Sequence, residues 1–194
     1  MELTQTQTPF TNLHRMFLQG LLSKRVIELS DAKQMYQKCA QLTQEPQEAL
    51  LDFLRAINKE LDSVDMTIKT GNDPKTGKKC ICLCNVNPDL IAKQATDYTP
   101  SELVYFKKLV FFVNKIDLIM TVEPRFYLSS TVALNASNKI TPLIAKTVAE
   151  EALNRFCRDG WLNEVNGILS LGLRTILELG FFLMITRPLF ERAI

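Results

Sequence analysis

His14 is the only histidine in the 194 residues, so any Ser/His/Asp, Cys/His or multi-histidine metal arrangement would depend on that one side chain. It falls on a helical stretch between apolar neighbours and reads as a surface or cap residue rather than a base or ligand. The five cysteines, Cys39, Cys80, Cys82, Cys84 and Cys157, are an odd and sparse set for a disulfide framework. Cys80, Cys82 and Cys84 alternate, which on a strand sends all three thiols to one face and leaves none at the spacing of a zinc knuckle, so buried structural thiols are expected. The stretch from Gly71 to Lys79 superficially resembles a phosphate loop. It has one residue too many between Gly71 and Gly77, and a lysine where Ser or Thr should follow, so it reads as a turn. Glu150 and Glu151 are adjacent on a helix, about 100 degrees apart, and cannot converge on one substrate atom. No catalytic constellation remains.

The basic and aromatic residues are more informative. Lys69, Lys75, Lys78 and Lys79 stand against the single Asp73, a local +3 that makes them candidate DNA contacts. The neighbouring stretch 45–62 carries Glu45, Glu48, Asp52, Glu60 and Asp62 against Arg55 and Lys59, a poor composition for reading a major groove. Tyr105, Phe106, Phe111 and Phe112 leave the segment 100–120 apolar over more than one face, which makes them candidate residues for packing between domains or against a partner.

These residues need elements to hold them. Phe10, Leu13, Phe17, Leu21 and Leu22 recur at helical spacing over 10–23. Val26, Ile27 and Leu29 form a short apolar bridge, and Ser30 is the expected N-cap of a second helix carrying Ala32, Met35, Tyr36, Cys39 and Leu42. Pro46 fits the first position of a third helix with Leu50, Leu51, Leu54, Ile57 and Leu61 as its stripe. Alternation then replaces the helical period at 66–69 and 78–86, around a Gly/Asn/Asp/Pro turn, which reads as a hairpin. Three helices and a hairpin is the order of a winged helix, the third helix standing where a recognition helix would and the hairpin forming the wing.

The second half repeats the scheme. Thr99-Pro100-Ser101-Glu102 is a capping box ahead of a helix to about residue 120. Phe126-Tyr-Leu128 suits a short strand and Ser130 to Ser137 a short helix. Thr141-Pro142 is expected to open another helix, with Ile144, Val148, Ala152 and Phe156 on one side and a stop at Gly160. Trp161 to Leu171 is two strands around an Asn-Gly turn. The expectation is therefore a mainly α protein with small β-hairpins (α+β), a tandem of winged-helix domains at 8–87 and 98–180. A short helical connection (88–97, helical near Asp89 to Thr96) joins them, and an apolar tail follows at 181–194.

Composition sets the outer limits. Hydrophobic residues at 46% and charged residues at 23% exclude disorder as the main theme, and a formal net charge of +2 supplies no overall field for nucleic acid or anionic membrane. The first ten residues lack a basic and an apolar region, so no secretory signal is read there and an intracellular setting with free thiols is expected. In that setting the Asn135-Ala136-Ser137 sequon stays unused. The apolar run Gly180 to Ile185 is far short of the about 20 residues that cross a bilayer.

Asn12-Leu-His-Arg-Met-Phe-Leu18, Met66-Thr-Ile-Lys69, Ile91-Ala-Lys-Gln-Ala-Thr-Asp-Tyr98, Glu102-Leu103 and Phe106-Lys107-Lys108 resemble the first non-SMC element of the SMC five/six chromosome complex. Ala152-Leu153, Phe156, Asp159-Gly-Trp-Leu162 and Gly172-Leu-Arg-Thr-Ile-Leu-Glu-Leu179 extend the resemblance to roughly residues 10–180. It implies a pair of winged-helix domains that bind a MAGE-family subunit alongside a kleisin, working in DNA repair and recombination in the nucleus. It also implies a zinc-binding RING-type domain after the second winged helix, and membership of the RING-type ubiquitin ligases. Here this sequence departs: after Leu179 it has no cysteine or histidine. The chain is expected to be a shortened form, by truncation, as an isoform or through an incomplete gene, holding no zinc and inactive as a ligase by itself. A stand-alone winged-helix DNA-binding regulator is the alternative reading.

Overall fold

The computed structural model describes residues 10–86, 98–116 and 128–180. The expected connecting helix, Phe126 and Tyr127, the end of the 100–120 helix and the tail lie outside the described residues. The chain divides into two compact units, residues 1–71 with 78–86 and residues 72–77 with 87–194.

The first runs α1 (Asn12–Lys24), β1 (Val26–Glu28), α2 (Leu29–Thr43), α3 (Leu50–Leu61), β2 (Met66–Asn72) and β3 (Lys79–Asn85). The second repeats it as α4 (Pro100–Ile116), β4 (Leu128–Ser129), α5 (Ser130–Ala136), α6 (Lys146–Arg158), β5 (Leu162–Val165) and β6 (Ile168–Leu171), with residues 173–180 helical as α7. Both sheets are three-stranded, in the orders β1-β3-β2 and β4-β6-β5. In each, the strand that precedes the second helix pairs with the last strand of the hairpin, Ile27 opposite Ile81 and Leu128 opposite Leu169. That strand-and-hairpin sheet against three helices is the winged-helix arrangement, present twice.

Each core is built from the apolar stripes of its helices and the inner face of its sheet. In the first, Phe17 meets Phe53 edge-on at 5.2 Å and Tyr36 at 6.4 Å, while Ile81 and Leu83 come up from β3. In the second, Phe156 is the centre, with Tyr98 and Phe106 each at 5.0 Å. Such aromatic pairs add about 1 kcal/mol each beyond the area they bury.

Local signals set several boundaries as the sequence predicts. The Thr99 N–H donates to the Glu102 carboxylate at 2.8 Å and the Glu102 N–H to the Thr99 hydroxyl at 3.4 Å, closing the capping box. Gly160, at φ 78, ends α6: its N–H donates to Cys157 O and that of Trp161 to Phe156 O, a Schellman pair. Asn166 and Gly167 both take positive φ between Val165 and Ile168, the two-residue turn of a tight hairpin.

Other boundaries differ from the expectation. Ser30 lies inside α2, whose N-cap is Glu28, because Val26–Glu28 is a paired strand and the chain enters the helix directly from it. Pro46 precedes α3, which begins at Leu50. The segment between is held by long-range bonds: the Tyr36 hydroxyl accepts from the Glu48 N–H and donates to its carbonyl, and the Glu45 carboxylate accepts from the Leu13 N–H. Pro142 likewise lies before α6, which starts at Lys146, since Ile140 and Ile144 are both buried and pin the connection. The inner face of α6 is consequently Ala149, Ala152, Leu153 and Phe156, with Val148 exposed. Leu42 and Leu51 also face outward.

Candidate nucleic-acid and partner surfaces

The first wing is ordered by its own turn. The Asp73 carboxylate accepts from the N–H groups of Lys75 and Thr76 and from the Thr76 hydroxyl, and Gly77 takes φ 70. This segment is a turn, with no cradle of backbone N–H groups left for a phosphate. The four candidate lysines are not equivalent. Lys75 and Lys79 are exposed, Lys69 is half-buried in β2, and Lys78 reaches across the sheet to β1, where its Nζ donates to both Glu28 carboxylate oxygens at 2.8 and 3.0 Å. The Glu28 hydrogen bond and charge raise the Lys78 pKa and use up part of its field. Lys75 and Lys79 are thus the strongest phosphate candidates on the wing. On α3, Asp52 holds Arg55 at 2.8 Å, so one of the two cations on that acidic helix is engaged by its own neighbour.

The aromatic set on α4 separates into two pairs. Tyr105 and Phe106 are core residues, not surface ones: Tyr105 is fully buried, its hydroxyl donates to the Ala133 carbonyl at 3.0 Å, and burial pushes its pKa up to about 12. Phe106 packs on Phe156 and on Trp161 at 5.5 Å. Helix α4 is the long central helix of the second unit and must bury its widest face against α5, α6 and the sheet, which removes this pair from any docking surface. Phe111 and Phe112 are half-buried, 6.2 Å apart, with Lys108 Nζ 5.5 Å from the Phe112 ring.

The chemistry-bearing residues lie where a reaction would be hardest. Cys39, Cys80, Cys82 and Cys84 are buried, and half-buried Cys157 has its pKa pushed up to about 11, foremost by burial. Glu150 and Glu151 are exposed. His14 corrects the surface reading while keeping the cap: it is 5% exposed, at the third position of α1, with Nδ1 at 2.8 Å from the Thr11 hydroxyl and accepting the Thr11 N–H at 3.2 Å. Its ring stacks on Phe53 at 4.5 Å.

What the residue types alone did not reveal is a polar framework inside the second unit. Glu102 pairs with Arg155, Arg155 lies over Tyr98 at 5.1 Å, and the Tyr98 hydroxyl donates to Asp159, its pKa raised first by burial and then by that bond. Next to it, Arg174 lies over Trp161 and donates to Glu178, while the Thr175 hydroxyl donates to the Trp161 carbonyl. Gly172 makes this approach possible: a Cβ there would stand 2.2 Å from the Gly160 carbonyl oxygen. The i, i+4 spacing of Arg174 and Glu178 was the only local trace.

Two winged helices in one chain define a tandem winged-helix protein. Residues 14–179 match the family described as the Nse1 non-SMC component of the SMC5-6 complex, and the chain belongs to that family. It is 32% identical over 188 residues to the human non-structural maintenance of chromosomes element 1 homolog, covering 95% of this chain and 68% of that protein. It is 26% identical over 132 residues to the Schizosaccharomyces pombe element 1, covering 68% of this chain and 54% of the relative. Its fold matches a chain of a solved Nse1-Nse3-Nse4 complex with a TM-score of 0.82 and 26% identity, over 92% of this chain and 76% of that one.

Proposed function

We propose that this chain is an assembly subunit of an SMC5-6 chromosome-maintenance complex, binding an Nse3-type MAGE subunit and an Nse4-type kleisin through its winged-helix units and acting in DNA repair and recombination in the nucleus. The observation that carries this reading is the match over 92% of the chain to a protein solved as part of an Nse1-Nse3-Nse4 complex. The acidic outer side of α3 supports it, since a helix in the recognition position with Asp52 facing its own Arg55 is better suited to protein than to a phosphate backbone. DNA contact is then an accessory of the first wing, weak and without sequence preference. Co-expression with the Nse3 and Nse4 counterparts, followed by size-exclusion chromatography, tests it: a stoichiometric complex is expected, and separate elution of this chain overturns the reading.

Zinc and ubiquitin transfer do not enter this function for the residues present. Elemental analysis of the purified chain should return well under one zinc per molecule, and a ubiquitin-transfer assay no product. Stoichiometric zinc would mean that the alternating thiols Cys80, Cys82 and Cys84 are ligands.

A further inference from the structure

His14 occupies a position that a glutamate or glutamine ordinarily fills in a capping box, and it differs from both in titrating between pH 5 and 8. Because the Thr11 N–H donates to Nδ1, the ring is neutral with its proton on Nε2, and that Nε2 is buried with no hydrogen-bond partner among the described residues. The ring is enclosed by Phe53 at 4.5 Å and Phe10 at 5.2 Å. From these contacts, which stand apart from the assembly function, we propose that the first turn of α1 is an acid-sensitive latch with His14 as its titrating group.

Protonation would act in three ways at this site. It converts Nδ1 from acceptor to donor, so the Thr11 N–H loses its partner. It puts a positive charge at the N-terminus of α1, where the helix dipole opposes a cation. It also places that charge among aromatic rings, with a second N–H on Nε2 that no described residue accepts. Opposing these are two carboxylates from the segment before α3, Glu48 and Glu45, which favour the charged form. Glu45 is already bound to the Leu13 N–H, and α2 contributes Tyr36, whose hydroxyl is engaged by the backbone of Glu48, while α3 contributes Phe53. Burial is the larger influence and holds the pKa below its ordinary value. The neutral ring therefore stabilises the fold fully above about pH 6.5, and the latch weakens as pH falls through the lower folded value.

A single histidine makes the test direct, because the imidazole Cε1–H resonance of the whole chain needs no assignment. The expected result is a titration midpoint below 6.5, accompanied by falling hydrogen-exchange protection of the Leu13 and Arg15 amides, by up to about tenfold per pH unit once corrected for intrinsic exchange. Amides of the second unit should stay protected. In His14→Gln, which keeps a capping-box side chain without the titration, protection at Leu13 should lose its pH dependence across the same range. A midpoint at or above 6.5, constant protection in the wild-type chain, or the same pH dependence in H14Q overturns the latch. Should H14Q fail to fold, the wild-type midpoint and protection decide by themselves.

Discussion

The guanidinium of Arg174 sits 3.9 Å from the centroid of the Trp161 ring and donates from Nε to the Glu178 carboxylate at 2.7 Å. Both charged side chains are buried, at 8% and 0% exposure, and Arg174 Nη1 has no hydrogen-bond partner among the described residues. The planar cation thus ties α7 to the start of the second hairpin by stacking on Trp161, while its charge is paired within α7 by Glu178. Arg174→Ala removes both the stack on Trp161 and an ion-pair partner of the buried Glu178 carboxylate, and should destabilise by about 3 kcal/mol. Arg174→Lys keeps the charge and loses the planar stack, so it should cost roughly 1–2 kcal/mol. Urea denaturation followed by Trp161 fluorescence measures both. A Lys variant as stable as the wild type would show that the stack contributes nothing, while equal stability of the Lys and Ala variants would show that the charge contributes nothing.

Gly172→Ala should be strongly destabilising although it adds a single methyl group. Its added Cβ meets the backbone oxygen of Gly160 at 2.2 Å, and backbone cannot swing aside as a side chain can. A loss of about 3 kcal/mol is expected in thermal or chemical unfolding. A variant as stable as the wild type would mean that the 160–161 segment and the start of α7 are free to separate.

Gln44 closes α2 in the left-handed region, at φ 55 and ψ 29, where a Cβ is disfavoured. Replacing it with glycine should raise stability by about 0.5–1 kcal/mol, visible as a higher Tm. The gain is reduced by the entropy glycine adds to the unfolded chain, so a Tm below that of the wild type would show that the Gln44 side chain has a role of its own.

The wing lysines should separate by their partners. If the first wing touches DNA, Lys75→Glu and Lys79→Glu each weaken duplex binding and lower the slope of log K against log salt by roughly one. Lys78→Gln should change that slope much less, because its charge is already held by Glu28. A slope that ignores Lys75 and Lys79 removes the wing from the DNA-binding surface.

Features written in a few consecutive residues are legible in the chain itself. The Thr99–Glu102 box, the Gly160 stop, the Asn166-Gly167 turn and the alternation of Cys80, Cys82 and Cys84 depend on local sterics and on hydrogen bonds that span at most a helical turn, so the sequence by itself determined them. Twice repeated, those signals were also enough for the tandem winged-helix order. Tertiary structure decided everything that required a partner far along the chain. Strand β1 exists because Ile27 finds Ile81, α3 starts late because Tyr36 holds Glu48, and Lys78 is neutralised by Glu28 on another strand. Helix α4 is apolar nearly all round, so periodicity could not say which aromatic pair turns inward; packing on Phe156 and Ala133 chose Tyr105 and Phe106. The same holds for His14 and Arg174, polar residues that a one-dimensional reading sends to the surface and that the rings of Phe53 and Trp161 instead hold inside. Burial is a property of what surrounds a residue, and for these side chains the surroundings come from elsewhere in the fold.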